Sequence, residues 1–410
     1  MNQKYREFLM EPIKENCIVF ESLWGRSYSC SPAAFYEFII ENHPEYECVW
    51  FLNDIETPIK GGAKKVEKQS EDYYHYLATA KYFVFNANLP VSFVKRRGQV
   101  VIQTMHGTPF KSFGLDVKDE MPTEKEKLRV VKRAAAWDYI VAQGEFTKNM
   151  VWRWFRYKGT VLKTGYPRTD RLYSLDVKKA QTLRETLGIP AEKRVILYAP
   201  TWRDLKKFDM ELDIEAMRKE LSEDYALLIR PHYFVKDFYQ VPEDGKFVFD
   251  AGKVSTIEDL FPVTDILITD YSSVMFDFAL TGKQMIFFAY DLKEYTENTR
   301  GSYFDISKEA PGLLAETTKE VIDAIKNADK HSSVNEERVK AFSNKYLTYE
   351  NGKSSELIYE TVFVRNKQDL FPVLRKMYLR IAKKILPQST YSEMMDKSFR
   401  RSLKSRRHKG

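Results

Sequence analysis

The chain contains six histidines, and two of them, His106 and His232, directly follow strongly apolar runs. His106 closes QVVIQTMH and opens HGTPFKSFG, where Gly107 and Thr108 let the backbone turn, Pro109 suits a first helical turn and Lys111 adds a cation. His232 closes LLIRPH behind Arg230 and Pro231. Near neutral pH the imidazole is the natural proton acceptor among side chains. Either ring alone suits a hydrogen-bonded structural histidine equally well. Two at strand ends, one in each half of the chain, point to a shared site.

A third constellation is ITDYSSVMFDF, residues 268–278, in which Asp270 ends a buried run and Ser272-Ser273 opens an apolar helical stretch. Serine at a helix start caps free backbone N–H groups, and such N–H groups also attract phosphate. Thr201 and Arg203 in YAPTWRD, Arg230, and Arg300-Gly301 in NTRGSYF add hydroxyl and guanidinium groups at neighbouring strand ends. The planar fork of arginine donors suits a diphosphate. The chain has no Walker-type phosphate loop, no GxGxxG after the first strand of either half, no G-x-S-x-G elbow and no His/Cys cluster that suggests a metal.

These residues need elements to hold them. Near-continuous apolar runs at 17–22, 47–52, 81–87, 99–105, 139–144 and 160–165 form one set of expected strands. Runs at 194–200, 225–231, 246–251, 265–270 and 284–290 form a second. Helical patterns such as 180–187 and 318–328 lie between them. Strand–helix alternation predicts an α/β fold with parallel sheets covered on both faces. Two groups of strands predict two doubly wound domains, 1–170 and 171–345, with helices after 345. Ligands of such sheets bind beyond the carboxyl ends of the strands, so a cleft between the domains brings the His106 and His232 loops face to face.

Composition narrows the class. Of the 410 residues, 43% are hydrophobic and 30% charged, a globular balance. The three cysteines, Cys17, Cys30 and Cys48, are odd in number and lack CxxC spacing, which predicts a reducing compartment. The start MNQKYREFLM lacks an apolar segment, so no secretory leader is expected, and no apolar run is long enough to span a membrane. Residues 371–410 carry 12 Lys/Arg against 2 Asp/Glu, which leaves the preceding 370 residues at −3 of the chain's +7. An anionic surface should therefore engage the tail. Residues 370–386 also read as a basic amphipathic helix, suited either to packing on the first domain or to a headgroup layer.

Six ordered segments, FESLWGRSYSCSP (20–32), HGTPFKSFG (106–114), YAPTWRD (198–204), RPH (230–232), TDYSSVMFDF (269–278) and RGSYFD (300–305), together resemble the CDP-glycerol glycerophosphotransferase family of teichoic acid primases and polymerases. The resemblance implies a GT-B fold of two Rossmann-like domains with a central cleft. The first would take the acceptor, the second the CDP donor, and 346–410 would supply C-terminal helices and a basic membrane-facing tail. It implies transfer of a polyol phosphate, glycerol phosphate favoured over ribitol phosphate, from a CDP-polyol to a hydroxyl of a lipid-linked saccharide acceptor, with release of CMP; from the motifs themselves no cofactor or metal is expected. His106 matches the family's proposed base, and His232 a second histidine at the donor phosphates. Ser272, Ser273, Arg300 and Gly301 match the donor loops, which Thr201, Arg203, Arg230 and Asp270 complete. Gly25, Tyr28, Gly107, Thr108 and Lys111 fall on the acceptor side. The implied location is peripheral, on the cytoplasmic face of the membrane. Two other classes compete: a GT-B glycosyltransferase using a nucleotide sugar, which donor assays separate, and a nucleic-acid-binding protein. The acidic body without an RRM, KH or zinc-finger signature argues against the latter.

Overall fold

The computed structural model describes residues 2–117, 123–174, 176–201, 210–231, 240–294 and 301–365. One compact unit spans Met1–Ser355 and a second begins at Glu356. The expected basic helix 370–386 and the tail 397–410 lie outside the described residues. Among the described residues no helix is long and apolar enough to cross a membrane.

Among the described residues the first sheet holds seven strands, β1 (Lys14–Glu21), β2 (Glu47–Leu52), β3 (Lys64–Glu67), β4 (Ala80–Phe85), β5 (Val100–Gln103), β6 (Tyr139–Val141) and β7 (Thr160–Leu162). Their spatial order is β3-β2-β1-β4-β5-β6-β7. The second holds six: β8 (Arg194–Tyr198), β9 (Tyr225–Ile229), β10 (Val248–Asp250), β11 (Ile266–Thr269), β12 (Gln284–Phe288) and β13 (Leu313–Ala315). Their order is β10-β9-β8-β11-β12-β13. Among the described residues, every pairing between these strands is parallel, with Val19 set between Val49 and Phe83, and Ile268 between Tyr198 and Ile286.

The apolar runs are continuous because both faces of each sheet are covered. In the second lobe Leu197, Leu228, Leu267, Met285 and Phe287 face one cluster, which includes Phe342 and Tyr346 of the helix Ser332–Tyr346. Ile196, Leu227, Ile268 and Ile286 face another, closed by the helices Ile214–Leu221 and Thr318–Lys326. Two edge strands escape the sequence pattern. β3 is KKVE with only Val66 buried, and β13 is the three-residue segment LLA.

After the helix Ser332–Tyr346 the chain returns to the first lobe. Tyr349 N donates to Gln143 O at 3.1 Å, and Glu145 N donates to Thr348 Oγ1 at 2.9 Å. Ser354 N and Ser355 N donate to the Asp170 carboxylate at 2.8 and 2.9 Å. The backbone contact at Gly144 is so close that a Cβ there would lie 2.1 Å from Tyr346 O.

Candidate active site

His106 stands where β5 gives way to a loop. The strand cannot continue because Met105 turns left-handed at φ 57° and Gly107 lies at φ 140°. The His106 Nδ1 atom lies 3.2 Å from Asn86 O. A carbonyl only accepts, so Nδ1 carries the hydrogen and Nε2 keeps its lone pair. The side chain is open to solvent, while its protein surroundings and the Arg168 charge hold the imidazole below the ordinary histidine range, against the pull of the Asn86 carbonyl. A neutral ring with a free Nε2 is the form a general base needs.

Asn86 also organises the neighbouring turn. Its Oδ1 accepts from Leu23 N at 2.8 Å, and its Nδ2 donates to Ser22 Oγ at 3.0 Å. Leu23, Trp24 and Gly25 all have positive φ, at 45°, 59° and 80°. Gly25 is required there: a Cβ would approach Lys68 Cδ to 2.6 Å. Tyr28 packs against Trp50 and Tyr36 and donates to Glu37 at 2.8 Å, and burial pushes its phenol up.

The second lobe meets the His106 loop at the serine pair. A Cβ on Gly107 would lie 3.4 Å from Ser273 Oγ and 3.5 Å from Arg168 Nη2. Ser272 Oγ accepts from Val274 N at 3.3 Å, at the entry to the short helix Val274–Phe278. Ser273 precedes that helix directly and makes no side-chain capping bond. The sequence had suggested capping by this pair; Ser272 bonds the helix entry, and the exposed Ser273 faces Gly107.

The remaining candidates divide. Asp270 accepts from Thr201 N at 3.0 Å and from Thr201 Oγ1 at 2.5 Å, a contact that clamps the turn after β8. Arg230 donates to Ala251 O, Val254 O and Ser255 O at 2.8, 2.5 and 3.3 Å, and burial lowers its pKa. It shapes the 251–255 loop. Gly301, at φ 78°, accepts from Ser112 N at 2.9 Å, and Lys111 pairs with Ser302 in an antiparallel bridge. Thr108 is fully buried and donates to Gln143 Oε1 at 2.7 Å. His232, Arg203 and Arg300 lie outside the described residues.

Beneath Gly107 lies a charged cluster that sequence reasoning missed. Arg168 bonds Asp277 through Nε and Nη2 at 2.9 and 3.1 Å, and its Nε lies 3.1 Å from Glu258 Oε1. Gln143 Nε2 donates to Asp277 Oδ1 at 2.9 Å. Burial disfavours the Arg168 cation, but Asp277, Cys30 and Glu258 outweigh it and push the guanidinium further up. Glu350, from the returning segment, accepts from Tyr166 N and Thr169 Oγ1 at 3.1 and 2.7 Å. Burial lifts its carboxyl to about 8 against the Thr169 hydrogen bond, with Asp277 adding to the rise. A signal was present in VMFDF, where one acid interrupts a buried apolar helix and so needs a partner.

A second crossing flanks the site. Tyr303 Oη accepts from Trp154 Nε1 at 2.6 Å and from Phe113 N at 2.8 Å, and donates to Asp116 Oδ2 at 2.9 Å. Phe110 packs on Phe304 at 4.9 Å between ring centres.

Over residues 3–364 the sequence matches the family described as CDP-Glycerol:Poly(glycerophosphate) glycerophosphotransferase. A teichoic acid poly(glycerol phosphate) polymerase of Bacillus subtilis (strain 168) is 38% identical over 366 residues, 86% of this chain but 49% of that protein. The chain thus spans about half the length of that relative. A protein of the same name from Bacillus spizizenii is 35% identical over 365 residues, 85% of this chain and 92% of its own length. The structure of the wall teichoic acid polymerase TagF aligns with a TM-score of 0.84 at 32% identity, covering 90% of this chain and 94% of the other. The architecture is of the GT-B type, with two Rossmann-like parallel sheets.

Proposed function

This chain belongs to the CDP-glycerol:poly(glycerophosphate) glycerophosphotransferase family, and from that premise we propose that it transfers glycerol phosphate from CDP-glycerol to a hydroxyl of a teichoic acid chain. The acceptor oxygen attacks the β-phosphorus in line, a new P–O bond forms, the bond to the bridging oxygen breaks and CMP leaves. The acceptor proton passes to His106 Nε2. Positioning and electrostatics carry most of the rate in such a transfer.

The observation that carries the reading is the approach of Gly107 to Ser273. It supports the reading because the loop that carries His106, whose Nδ1 faces the Asn86 carbonyl, comes up to Ser273 of the opposite lobe. In this reading Ser272 and Ser273 meet the donor phosphates together with His232, Arg203 and Arg300. Thr201, Asp270 and Arg230 hold the loops that present them, and Gly301 joins the donor loop to the acceptor side. Gly25, Tyr28, Thr108 and Lys111 shape the acceptor side. The glycerol assignment follows relatives named for poly(glycerol phosphate) at 38% and 35% identity, against 29% for a poly(ribitol-phosphate) polymerase. The acceptor is lipid-linked, and the basic tail brings the enzyme to the anionic cytoplasmic leaflet, where each basic residue near the surface contributes about 1 kcal/mol.

CMP release from CDP-glycerol, CDP-ribitol and UDP- or GDP-sugars in the presence of a glycerol phosphate-primed acceptor tests the reaction. Turnover with CDP-glycerol alone is the expected result, and preference for a nucleotide sugar would overturn it. Sedimentation with anionic vesicles, with and without residues 388–410, tests the tail; binding that survives the deletion would remove its role.

A further inference from the structure

We infer that Asp277 and Arg168 are positioning residues for the transfer: their buried pair, crossing between the lobes, sets the distance from the His106 loop to the serine pair. The inference rests on the reading of the reaction given above.

Arg168 lies in the turn Pro167–Leu172, where the chain leaves the first sheet, and its side chain is only 3% exposed. The guanidinium turns inward. Two of its nitrogens grip Asp277, one helical turn beyond Ser273, and Nη1 donates to Cys30 Sγ at 3.3 Å. Asp277 is therefore fixed to the first lobe directly through Arg168. It is fixed a second time through Gln143, whose other end accepts from Thr108. Thr108 and His106 flank Gly107, and Arg168 Nη2 lies 3.5 Å from the place a Gly107 Cβ would occupy. One carboxylate thus ties both sides of the approach of Gly107 to Ser273.

Stability alone is a poor reason for this arrangement. A buried ion pair gives up solvation that apolar packing would not, and is often no better than hydrophobic residues of equal volume. A bidentate fork does supply fixed direction and distance. A displacement of about 1 Å between reacting groups can cost about 100-fold in rate. Asp277 and Arg168 have no need to touch the substrate to matter to its turnover.

The test uses the full chain and Asp277→Asn, which preserves volume while removing the charge and half the fork's acceptors. Turnover with CDP-glycerol should fall about 10- to 100-fold with KM for the donor changed less than about threefold, and Asp277→Glu should recover part of the loss. Hydrogen–deuterium exchange read on the same variant should show faster uptake at 105–109. A wild-type kcat in Asp277→Asn, or a loss of rate matched by an equal unfolded fraction, overturns the inference. So does unchanged uptake at 105–109. Should wild-type protein release no CMP, the activity reading fails, and the exchange result still decides whether the pair positions the loop.

Discussion

Where Phe110–Phe113 meets Gly301–Tyr303, the lobes touch through backbone pairing and aromatic rings, whereas beneath Gly107 they touch through buried charge. The first contact is adhesive. Its side-chain hydrogen bonds converge on one phenol, and its rings bury apolar area without demanding a single geometry. The second is directional, because a guanidinium fork, an amide and two carboxylates satisfy one another in only one arrangement. The two crossings therefore divide the work of joining the lobes from the work of aligning them.

Perturbations of very different size separate these roles. His106→Ala leaves both crossings intact and should lower turnover by roughly 100- to 10,000-fold with an unchanged melting temperature. Steady-state CMP release checks the first part and calorimetry the second. Near-wild-type transfer would remove the base. Gly107→Ala probes the aligned side alone. At φ 140° a side chain is strained, and its Cβ would sit in van der Waals contact with Ser273 and Arg168. Turnover should drop at least about tenfold while donor affinity, measured by calorimetric titration of CDP-glycerol, changes little.

Tyr303→Phe attacks the adhesive side. It strands the Trp154 and Phe113 donors, so chemical denaturation should show a loss of about 1–3 kcal/mol, with kcat per folded molecule preserved. A large kcat loss there would erase the distinction between the crossings. The smallest effect is one of pH. His106 must be unprotonated to act, and its pKa is lowered first by the protein atoms that displace water around the ring and then by the Arg168 charge. The acid limb of kcat/KM should therefore fall below the ordinary histidine value of about 6.5. A limb at or above that value would contradict the environment described for the ring.

Much of this was legible in the sequence, and the exceptions have physical causes. Parallel strands buried on both faces announce themselves as apolar runs, but β3 carries three charged residues and β13 is too short to show a period. Apolar runs also overran their strands. Met105 stays buried after leaving the ladder, and Gly165 turns at φ 78° within the expected strand 160–165. At the candidate site, His106 and the serine pair are candidates by type and by place at strand ends. Arg168, Glu258, Gln143 and Glu350 were not, because their partners lie about a hundred or more residues away and no local pattern encodes such a meeting. Thr201, Asp270 and Arg230 were found by the same strand-end logic, yet the structure spends their polar groups on holding loops.

The return of residues 346–355 to the first lobe bears on how such enzymes can be recombined. Gly144 accommodates the Tyr346 carbonyl only because it has no side chain, and Tyr166 N, Gln143 O and the Asp170 carboxylate all find their partners in that late segment. A chimera that exchanges one half of the molecule between relatives must then carry two separate stretches of gene, the early half and this late strip, from the same parent. A single splice near the middle would leave the seam mismatched.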